Sequence, residues 1–202
     1  MTTAPAAPRK STPRRPQPRV EMPFDRPMTV DDWYALPEAP ERYELYEGVL
    51  ILMATPNLRH QAITTFFAAA LLEHALQNGG AAYAAPTGVA LGNFVGFEPD
   101  VVYLAADRLG RQEARGINGA PSIVVEVASP STRRYDLTTK LPAYFRYGVL
   151  EVWIVDPVRE TVSVYFADEQ NAPLTIPFGE QIPSRIVDIG NGRLDMLPRI
   201  PD

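Results

Sequence analysis

The chain has 202 residues, no cysteine and 46% hydrophobic residues, a composition typical of one globular domain with its own core. The lack of cysteine excludes disulfides, thiolate zinc sites and cysteine nucleophiles. No apolar run approaches the roughly 18 residues of a membrane helix, and the N-terminus lacks the apolar stretch of a signal peptide, so we expect a cytoplasmic protein without a membrane partner.

Charge is distributed unevenly along the chain. Five basic side chains and no acidic one fall within residues 1–20, which leaves 14 basic and 24 acidic residues, a formal charge of −10, for the rest. A body this acidic is a poor non-specific binder of DNA. If the protein acts on a phosphodiester, metal ions and a local basic patch must offset the repulsion.

The N-terminal segment differs from the rest in composition. Residues 1–27 are rich in proline, alanine, threonine and arginine and poor in large apolar side chains. Such a segment cannot bury enough surface to fold, so we predict a disordered basic arm ahead of a single domain over residues 28–200. The arm is either a basic strap for nucleic acid or an acidic partner, or a solubilising extension, and the second role is favoured.

Hydrophobic periodicity and turn residues predict the helices and strands. The expected helices cover 30–36, 57–77 and about 136–147. The expected strands are a hairpin within 42–54, strands near 82–91, 99–104 and 122–128, a pair at 151–156 and 161–166, and one further strand at 184–188. This order predicts an α/β fold of the mixed α+β type, in which a mixed β-sheet is flanked by helices on both sides.

Two carboxylates stand in apolar, strand-like runs. Asp100 follows Pro99 and opens the run 100–104, and Glu126 lies within 121–128. A bare carboxylate in such a strand costs several kcal/mol unless a partner compensates it. Each acid alone would most simply pair with an arginine or face water, but two of them, on strands that could be neighbours, suggest a shared divalent cation. Oxygen ligands favour Mg²⁺, with Mn²⁺ as a second candidate.

Another pair of charges follows the second of these runs. Asp136 and Lys140 are four residues apart, so a helix would put both on one face. They form either an exposed ion pair worth a few tenths of a kcal/mol, or a functional pair in which the Lys140 ammonium lies beside the carboxylates, orients water and stabilises charge on a phosphate. Pro142 removes a backbone donor, so we expect the helix to kink or to begin there, with Lys140 on its first turn or in the preceding loop.

The two histidines lie on the long predicted helix, about 21 Å apart by helical rise, so one metal ion cannot bind both. His60, near the helix start, is a candidate to face the active-site cleft, or else a capping or core histidine, and His74 is interpreted as a packing or surface residue. Arg133 and Arg134 flank the acidic residues and either grip phosphate or form an exposed pair without a role. The chain has no Gly-rich phosphate loop, nucleophile elbow or metalloprotease helix, so ATP hydrolysis, serine hydrolysis and nicotinamide chemistry have no support.

These residues, in this order, resemble a known family. The matching segments are Tyr43–Gly48, Arg59–Gln61, Pro99-Asp100, Glu126–Thr132, Asp136, Lys140, Tyr144, Gly148-Val149 and Glu151–Pro157. Together they are similar to the Uma-type "putative restriction endonucleases", a bacterial group within the PD-(D/E)XK phosphodiesterase superfamily. The resemblance covers about residues 28–166 and implies a restriction-endonuclease-like core and divalent-metal-dependent cleavage of DNA.

The resemblance also implies roles for individual residues. Asp100 matches the acid of the Pro-Asp motif and Glu126 matches the second acid, which makes both of them metal ligands. The superfamily usually has a lysine two residues after the second acid, where this chain has Ala128, so the resemblance assigns the ammonium to Lys140. Glu44 matches an extra N-terminal acid of the family and is expected to support the site.

We therefore predict a metal-dependent endonuclease that hydrolyses DNA phosphodiester bonds with metal-activated water. The expected catalytic residues are Asp100, Glu126 and Lys140, the metal ligands are Asp100 and Glu126, and the supporting residues are Glu44, His60 and Asp136. DNA is the expected partner, and a two-fold homodimer would allow both strands to be cut. The carboxylates of Asp100 and Glu126 should lie about 4–6 Å apart, the range in which charges couple, with the Lys140 ammonium close by.

Two other hypotheses remain open from the sequence. The chain is alternatively a catalytically inactive nuclease-fold module for binding or assembly, which the acidic body and Ala128 favour. A third hypothesis is an RNA-directed or transposon-associated nuclease with the same site. Two carboxylates that point apart, or that each pair with an arginine, would remove the nuclease hypothesis.

Overall fold

The computed structural model describes residues 25–37, 41–189 and 194. The predicted arm over residues 1–27 lies outside these ranges except for 25–27, and so does the predicted domain end at residue 200. None of the helices in the described ranges combines the length and the apolar character needed to cross a bilayer.

The described residues form short helices, one long helix and twelve strands. The helices are α1 (Val30–Tyr34), α2 (Leu58–Asn78), α3 (Arg133–Tyr135) and α4 (Leu141–Arg146), with a 3₁₀ helix at Ala106–Arg111 and a π-helical turn at Asp136–Lys140 that joins α3 to α4. The strands are β1 (Arg42–Tyr46), β2 (Val49–Met53), β3 (Ala81–Ala84), β4 (Val89–Gly92), β5 (Val95–Phe97), β6 (Val101–Leu104), β7 (Gln112–Glu113), β8 (Gly116–Asn118), β9 (Ile123–Val127), β10 (Glu151–Asp156), β11 (Thr161–Phe166) and β12 (Leu174–Pro177).

These strands pair into two mixed sheets. The first sheet has the order β2-β1-β5-β4-β8-β7, and the second has the order β12-β11-β10-β9-β6-β3. In the first sheet β4 pairs in parallel with β8, in the second β9 pairs in parallel with β10, and the other described pairs are antiparallel. The predicted mixed α+β class with flanking helices is confirmed, although the strands divide between two sheets rather than one.

The second sheet lies at the centre of the molecule, with both of its faces covered. The side chain of Asn57 accepts a hydrogen bond from the backbone N–H of His60 at 2.9 Å and caps the start of α2. Helical spacing then brings Ile63, Phe67 and Leu71 onto one face of α2, where they are buried against β6, β9 and β10. The opposite face of the second sheet packs on α4 and on strands of the first sheet. Every residue of β9 is buried as a result, as its continuous apolar run predicts.

The predicted hairpin is also present. Glu47 and Gly48 connect β1 to β2 with φ angles of 51° and 78°. Positive φ at both central residues is required by the type I′ turn of two-residue hairpins. This turn fixes the register of β1 and so the position of Glu44.

Three of the predicted elements are wrong in detail. The single strand expected near 82–91 is two strands, β3 and β4, which belong to different sheets. Pro86 lies between them and cannot donate to a ladder, which explains the break. The strand expected at 184–188 is absent, and the edge strand is instead β12 at Leu174–Pro177. The helix expected at about 136–147 begins earlier, with α3 at Arg133.

Candidate active site

The two predicted metal ligands lie at the same end of the second sheet. Val101 of β6 is paired with Val125 of β9. Asp100 and Glu126 are the next residues on these antiparallel strands, so the register carries the two acids to opposing positions where β6 begins and β9 ends. Both acids line one cleft with a volume of about 500 Å³. The carboxyl ends of the parallel strands β9 and β10 meet at this edge, a common place for ligands in α/β sheets.

Asp100 is oriented by two neighbours. Its Oδ2 accepts a hydrogen bond from the backbone N–H of Val127 at 2.7 Å and lies 3.2 Å from Nε2 of His60. The Nδ1 of His60 lies 3.4 Å from the hydroxyl of Thr64, one turn further along α2. The structure therefore places His60 in the cleft beside Asp100. Within the described ranges Asp100 has no ion pair with an arginine.

Glu126 is held by Lys140 and Tyr144. The Nζ of Lys140 lies 2.6 Å from Oε1 of Glu126 and 2.8 Å from Oε1 of Glu44. The hydroxyl of Tyr144 donates to the same oxygen of Glu126 at 2.5 Å. The ammonium thus links the second sheet to Glu44 on β1 of the first sheet, and no arginine in the described part of the chain is paired with Glu126.

Asp136 and Lys140 do not form an exposed ion pair. Asp136 is 3% exposed and Lys140 is 1% exposed, so both side chains are buried. The interpretation of the two as a surface i,i+4 pair is therefore wrong. The other reading, with the ammonium beside the carboxylates, matches the contacts of Lys140.

The π-helical turn accounts for the position of Lys140. Pro142 falls in the first turn of α4, as expected, but the backbone on either side of the turn stays helical, with φ −62° and ψ −45° at Tyr135 and φ −67° and ψ −49° at Lys140. Lys140 is consequently the last residue of the π-helical turn and does not lie in a loop. π-Helical turns accommodate an interrupted hydrogen-bond ladder and are frequent at functional sites.

Electrostatics in this cluster are dominated by burial and by one ammonium among several acids. Burial raises the pKa of Glu126 well above its ordinary value, and Lys140 reverses this only in part. Burial likewise raises the pKa of Glu44, against the charge of Lys140. Burial alone would lower the pKa of Lys140, but the surrounding carboxylates outweigh it and raise that pKa well above the ordinary value. Burial raises the pKa of Asp136 to about 6, again opposed by Lys140.

Two buried polar atoms in or beside the cluster have no hydrogen-bond partner among the residues that the structure describes. They are Oε2 of Glu44 and the hydroxyl of Tyr135. The other oxygen of Glu44 accepts hydrogen bonds from the Lys140 ammonium and from the backbone N–H of Glu98, the latter at 3.1 Å. An unsatisfied buried oxygen of this kind costs about 1–3 kcal/mol, and it leaves the cluster with spare acceptor capacity.

This donor set suits magnesium better than zinc. In the described ranges no three His, Cys, Asp or Glu side chains are arranged to hold a metal ion by themselves. Mg²⁺ does not need such a cage, because it keeps several waters and binds through one or two carboxylates plus substrate phosphate. Asp100 and Glu126 on one cleft, with Val127 adjoining them in its wall, meet that requirement.

Four other residues, predicted or overlooked, do not line the cleft. Nε of Arg133 lies 3.2 Å from Oδ2 of Asp156, and Arg134 is exposed, so the phosphate contacts of both remain predictions. His74 packs its ring against Tyr103 and lies outside the cleft, in agreement with its packing interpretation. Tyr144 carries part of the resemblance but was given no role from sequence. Its spacing of four residues from Lys140 was the available signal, since it puts both side chains on one helical face.

Comparisons with known proteins identify the family and the fold. A model of the Uma2 family, described as "Putative restriction endonuclease", matches residues 30–190. The chain is also similar to a solved structure from Anabaena variabilis ATCC 29413, titled as a putative nuclease belonging to DUF820. That similarity has a TM-score of 0.67 and 23% identity, covers 83% of this chain and 97% of the other, and shows a shared fold. No curated protein matches the chain.

Proposed function

Because the chain belongs to the Uma2 family, we propose that it is an endonuclease that hydrolyses DNA phosphodiester bonds with the help of Mg²⁺ or Mn²⁺. One observation carries this proposal above the others. Asp100 and Glu126 occupy opposing positions where β6 begins and β9 ends, line one cleft, and are free of arginine partners in the described ranges. The family description and the shared fold support a nuclease, and the metal and the substrate are the parts proposed here.

Asp100 and Glu126 would hold the metal ion, with the Val127 carbonyl as a further oxygen ligand. Bound Mg²⁺ supplies two things in such sites, a lower pKa for water and neutralisation of phosphate charge. His60 and the backbone N–H of Val127 fix the Asp100 carboxylate in orientation. The protein thereby pre-organises its acidic ligands before any substrate arrives.

Lys140 acts mainly through Glu126 in this arrangement. Its ammonium is 1% exposed and hydrogen-bonded to carboxylates, so it orients Glu126 and contributes positive charge to the phosphate through space. Glu44 holds the ammonium from the other side, and Tyr144 restrains the shared oxygen of Glu126. Asp136 adds negative charge behind Lys140, which keeps the lysine protonated.

A nicking assay tests the proposal directly. Supercoiled plasmid is incubated with the protein and Mg²⁺ or Mn²⁺, beside Asp100→Asn and the control Glu73→Gln, which replaces an exposed carboxylate on α2. We expect metal-dependent nicking by the wild type and the control, and its loss in Asp100→Asn. Equal nicking by all three proteins would identify a contaminant and contradict the proposal.

The inactive binding or assembly module is the competing function. It is favoured by Ala128, which is buried at the position where the superfamily usually has lysine. The same assay separates the two functions, because a module of this class binds without nicking at any metal concentration. A two-fold homodimer stays a prediction, and light scattering of the purified protein with and without DNA tests it.

A further inference from the structure

The long helix α2 presents apolar residues on two opposite faces. Ile63, Phe67 and Leu71 pack against the second sheet. On the other side of the helix, six residues recur at alternating spacings of four and three, and we call them the outer stripe: Leu58, Ala62, Thr65, Ala69, Leu72 and Leu76. At 3.6 residues per turn, all six lie within about 40° of the direction opposite Phe67.

The outer stripe is open to solvent. Leu58, Leu72 and Leu76 are 72%, 46% and 79% exposed. The hydroxyl of Thr65 donates to the backbone carbonyl of Gln61 at 2.8 Å, so the polar group of the stripe is satisfied within the helix. A surface helix ordinarily carries charged and polar residues on its outward face, and a continuous apolar surface there marks an interaction site.

The spacing of the outer stripe indicates what covers it. Alternating steps of four and three residues form the seam along which two helices pack side by side. A seam of this length fits a helix of similar length, and α2 is by far the longest helix in the described ranges. The α2 helix of a second copy presents the same seam, and two-fold pairs are the commonest oligomers of identical chains.

An antiparallel pair matches the sizes of the side chains along the stripe. The alternating spacing reads the same in both directions, so a pair centred at the level of Phe67 sets each stripe residue against a stripe residue of the partner. The facing residues are Leu58 and the partner's Leu76, Ala62 and the partner's Leu72, and Thr65 and the partner's Ala69. A leucine thereby lies over a small residue, as in well-packed cores, whereas a parallel pair would set each small residue against itself and leave gaps.

The charges of α2 favour the same orientation. Arg59 and Glu73 are the two residues of α2 from the set Arg, Lys, Asp and Glu, and their separation of 14 residues puts them on one flank of the outer stripe. A two-fold axis sets this flank against the same flank of the partner. The level of Arg59 then falls within about 3 Å, along the helix axis, of the level of the partner's Glu73. Opposite charges at such positions fix the register of an interface.

The rest of the surface is less suitable for self-association. Beyond residue 20 the chain has a formal charge of −10, so two copies repel each other over most of their surface. The outer stripe itself is uncharged. Val158, 75% exposed, lies in the turn whose Glu160 pairs with Arg59 at 3.0 Å, and it extends the apolar surface beyond the helix.

The size of the contact predicts a reversible dimer. The stripe is about 27 Å long and a helix is about 10–12 Å wide, which gives a strip of roughly 300 Å² on each copy. This strip is smaller than the roughly 800 Å² per partner of a standard interface, so we expect a dissociation constant in the micromolar range. None of the six stripe residues lines the cleft that contains Asp100, so the dimer leaves both clefts open.

We propose that the outer stripe binds the outer stripe of a second copy, so that the protein forms a two-fold dimer through antiparallel α2 helices. This inference goes beyond the proposed function and does not depend on it, since it uses no residue of the metal site. Variants of the stripe or of Glu73 therefore bear on association and not on nicking by a single cleft.

The molar mass of the wild-type protein tests the inference without any substitution. Sedimentation velocity is measured at protein concentrations from about 1 to about 200 μM, the range in which an interface of this size associates. We expect the weight-average mass to rise from that of a monomer towards that of a dimer. A monomer mass at every concentration would overturn the inference and leave the stripe to a different partner.

Two leucine variants localise the contact. Leu72→Asn puts an amide opposite the partner's Ala62, and Leu174→Asn on β12 is the matched control, since Leu174 is 50% exposed and lies outside the stripe. Leu72→Asn should raise the dissociation constant at least about tenfold, because two leucines leave the interface, and the control should not change it. Equal dimerisation by the two folded variants would reject the outer stripe.

Crosslinking tests the orientation and leaves Leu72 in place. The chain has no cysteine, so Leu58→Cys and Leu76→Cys each carry a single thiol. In the antiparallel pair these two positions face each other, whereas the two copies of position 58 lie about 27 Å apart. A short bis-maleimide should therefore join the two variants in a mixture and should not join either variant to itself. Equal crosslinking of either variant alone, or none in the mixture where the wild type is dimeric, would contradict the antiparallel pair.

Discussion

Two buried glutamates lie at opposite ends of the same parallel strand pair. Glu151 is in register with Ile123 at the beginning of β10 and β9, and Glu126 is in register with Ile154 near their ends. Their exposures are almost equal, 1% for Glu151 and 4% for Glu126. Burial therefore does not distinguish them, and neither does the strand pair to which they belong.

Their partners distinguish them. Glu151 accepts hydrogen bonds from the indole N–H of Trp153, the hydroxyl of Ser184 and the backbone N–H of Arg185, at 2.9, 2.8 and 2.7 Å. All three donors are neutral, and both carboxylate oxygens are used. Glu126 instead shares an ammonium with another acid and opens onto a cleft. A carboxylate whose two oxygens both accept hydrogen bonds from neutral donors stabilises the fold. A carboxylate that shares one ammonium with another acid and lies beside a cleft is a candidate ligand for a cation.

Exchange of the two glutamates for glutamine should give the largest contrast. Glu126→Gln removes a proposed metal ligand, so we expect nicking to fall on the order of a thousandfold, the scale on which removal of one pre-organised catalytic group acts. Glu151→Gln should leave nicking per folded molecule unchanged. Initial nicking rates, normalised to the folded fraction from circular dichroism, measure both. Equal losses of nicking activity in the two variants would contradict the distinction between Glu126 as a metal ligand and Glu151 as a structural residue.

Replacement of the shared ammonium should have the largest effect on stability. Lys140→Met leaves two buried carboxylates without their cation, so we expect the free energy of unfolding to fall by about 3–5 kcal/mol. The double variant Lys140→Met/Glu44→Gln should recover part of that loss, because it removes one of the uncompensated charges. Urea unfolding at neutral pH measures both values. A loss below about 1 kcal/mol in Lys140→Met would mean that Lys140 does not neutralise the cluster.

Asp136 should make stability depend on pH. Its pKa is raised from 3.8 to about 6 on folding, so the folded state holds its proton more tightly than the unfolded state. The resulting stabilisation is complete below pH 4 and is lost as pH rises through 6. The free energy of unfolding should fall by an amount on the order of 2–3 kcal/mol over this interval, since one pKa unit corresponds to about 1.4 kcal/mol.

The Asp136→Asn variant serves as the reference for this prediction. Its unfolding free energy should lack that fall between pH 4 and pH 6, so the difference between wild type and variant isolates the carboxyl. Urea unfolding across this interval provides the curves. Parallel curves for the two proteins would show that Asp136 does not titrate there.

Tyr144 should show a smaller effect in the same direction as Glu126. Tyr144→Phe removes one hydrogen bond to a charged oxygen, which lowers the free energy of unfolding by about 1.5–3 kcal/mol. We expect nicking to fall about tenfold, since one group that orients Glu126 is lost while the acid itself remains. Tyr165→Phe on β11 is a suitable control. If Tyr144→Phe loses as much nicking activity as Glu126→Gln, Tyr144 has a direct catalytic role.

The smallest effect is expected at the rim of the cleft. Arg59 and Glu160 form an exposed ion pair at 3.0 Å, and such pairs contribute about 0–1 kcal/mol. Glu160→Gln should therefore change neither stability nor nicking beyond error in the assays above. A large effect would show that rim charges matter as much as the buried cluster.

Some of the site followed from local sequence. The continuous apolar run at 121–128 predicted a strand buried on both faces and so a buried Glu126, and Pro99 marked Asp100 as the start of an extended run. The register between β6 and β9 was then the long-range fact that brought the acids to opposing positions. Apolar runs of this kind identify a central strand but do not specify its neighbours.

Other features depended on contacts between distant parts of the chain. Lys140 reaches Glu44 over a sequence separation of 96 residues, and no local pattern encodes that contact. The rings of Trp33 and Tyr34 on α1 need Gly88, Gly96 and Gly116 beside them, a match visible only in the folded structure. Pro86 was the local signal in the sequence for the break between β3 and β4, because proline cannot donate to a strand ladder.

Manganese binding measured by electron paramagnetic resonance tests the central claim most directly. Titration of Mn²⁺ into the wild type and Glu151→Gln should reveal one site of similar affinity in each, and that site should be lost in Asp100→Asn and in Glu126→Gln. If all four proteins bind the ion equally, or if none binds it even with an oligonucleotide present, the opposed carboxylates do not form a cation site.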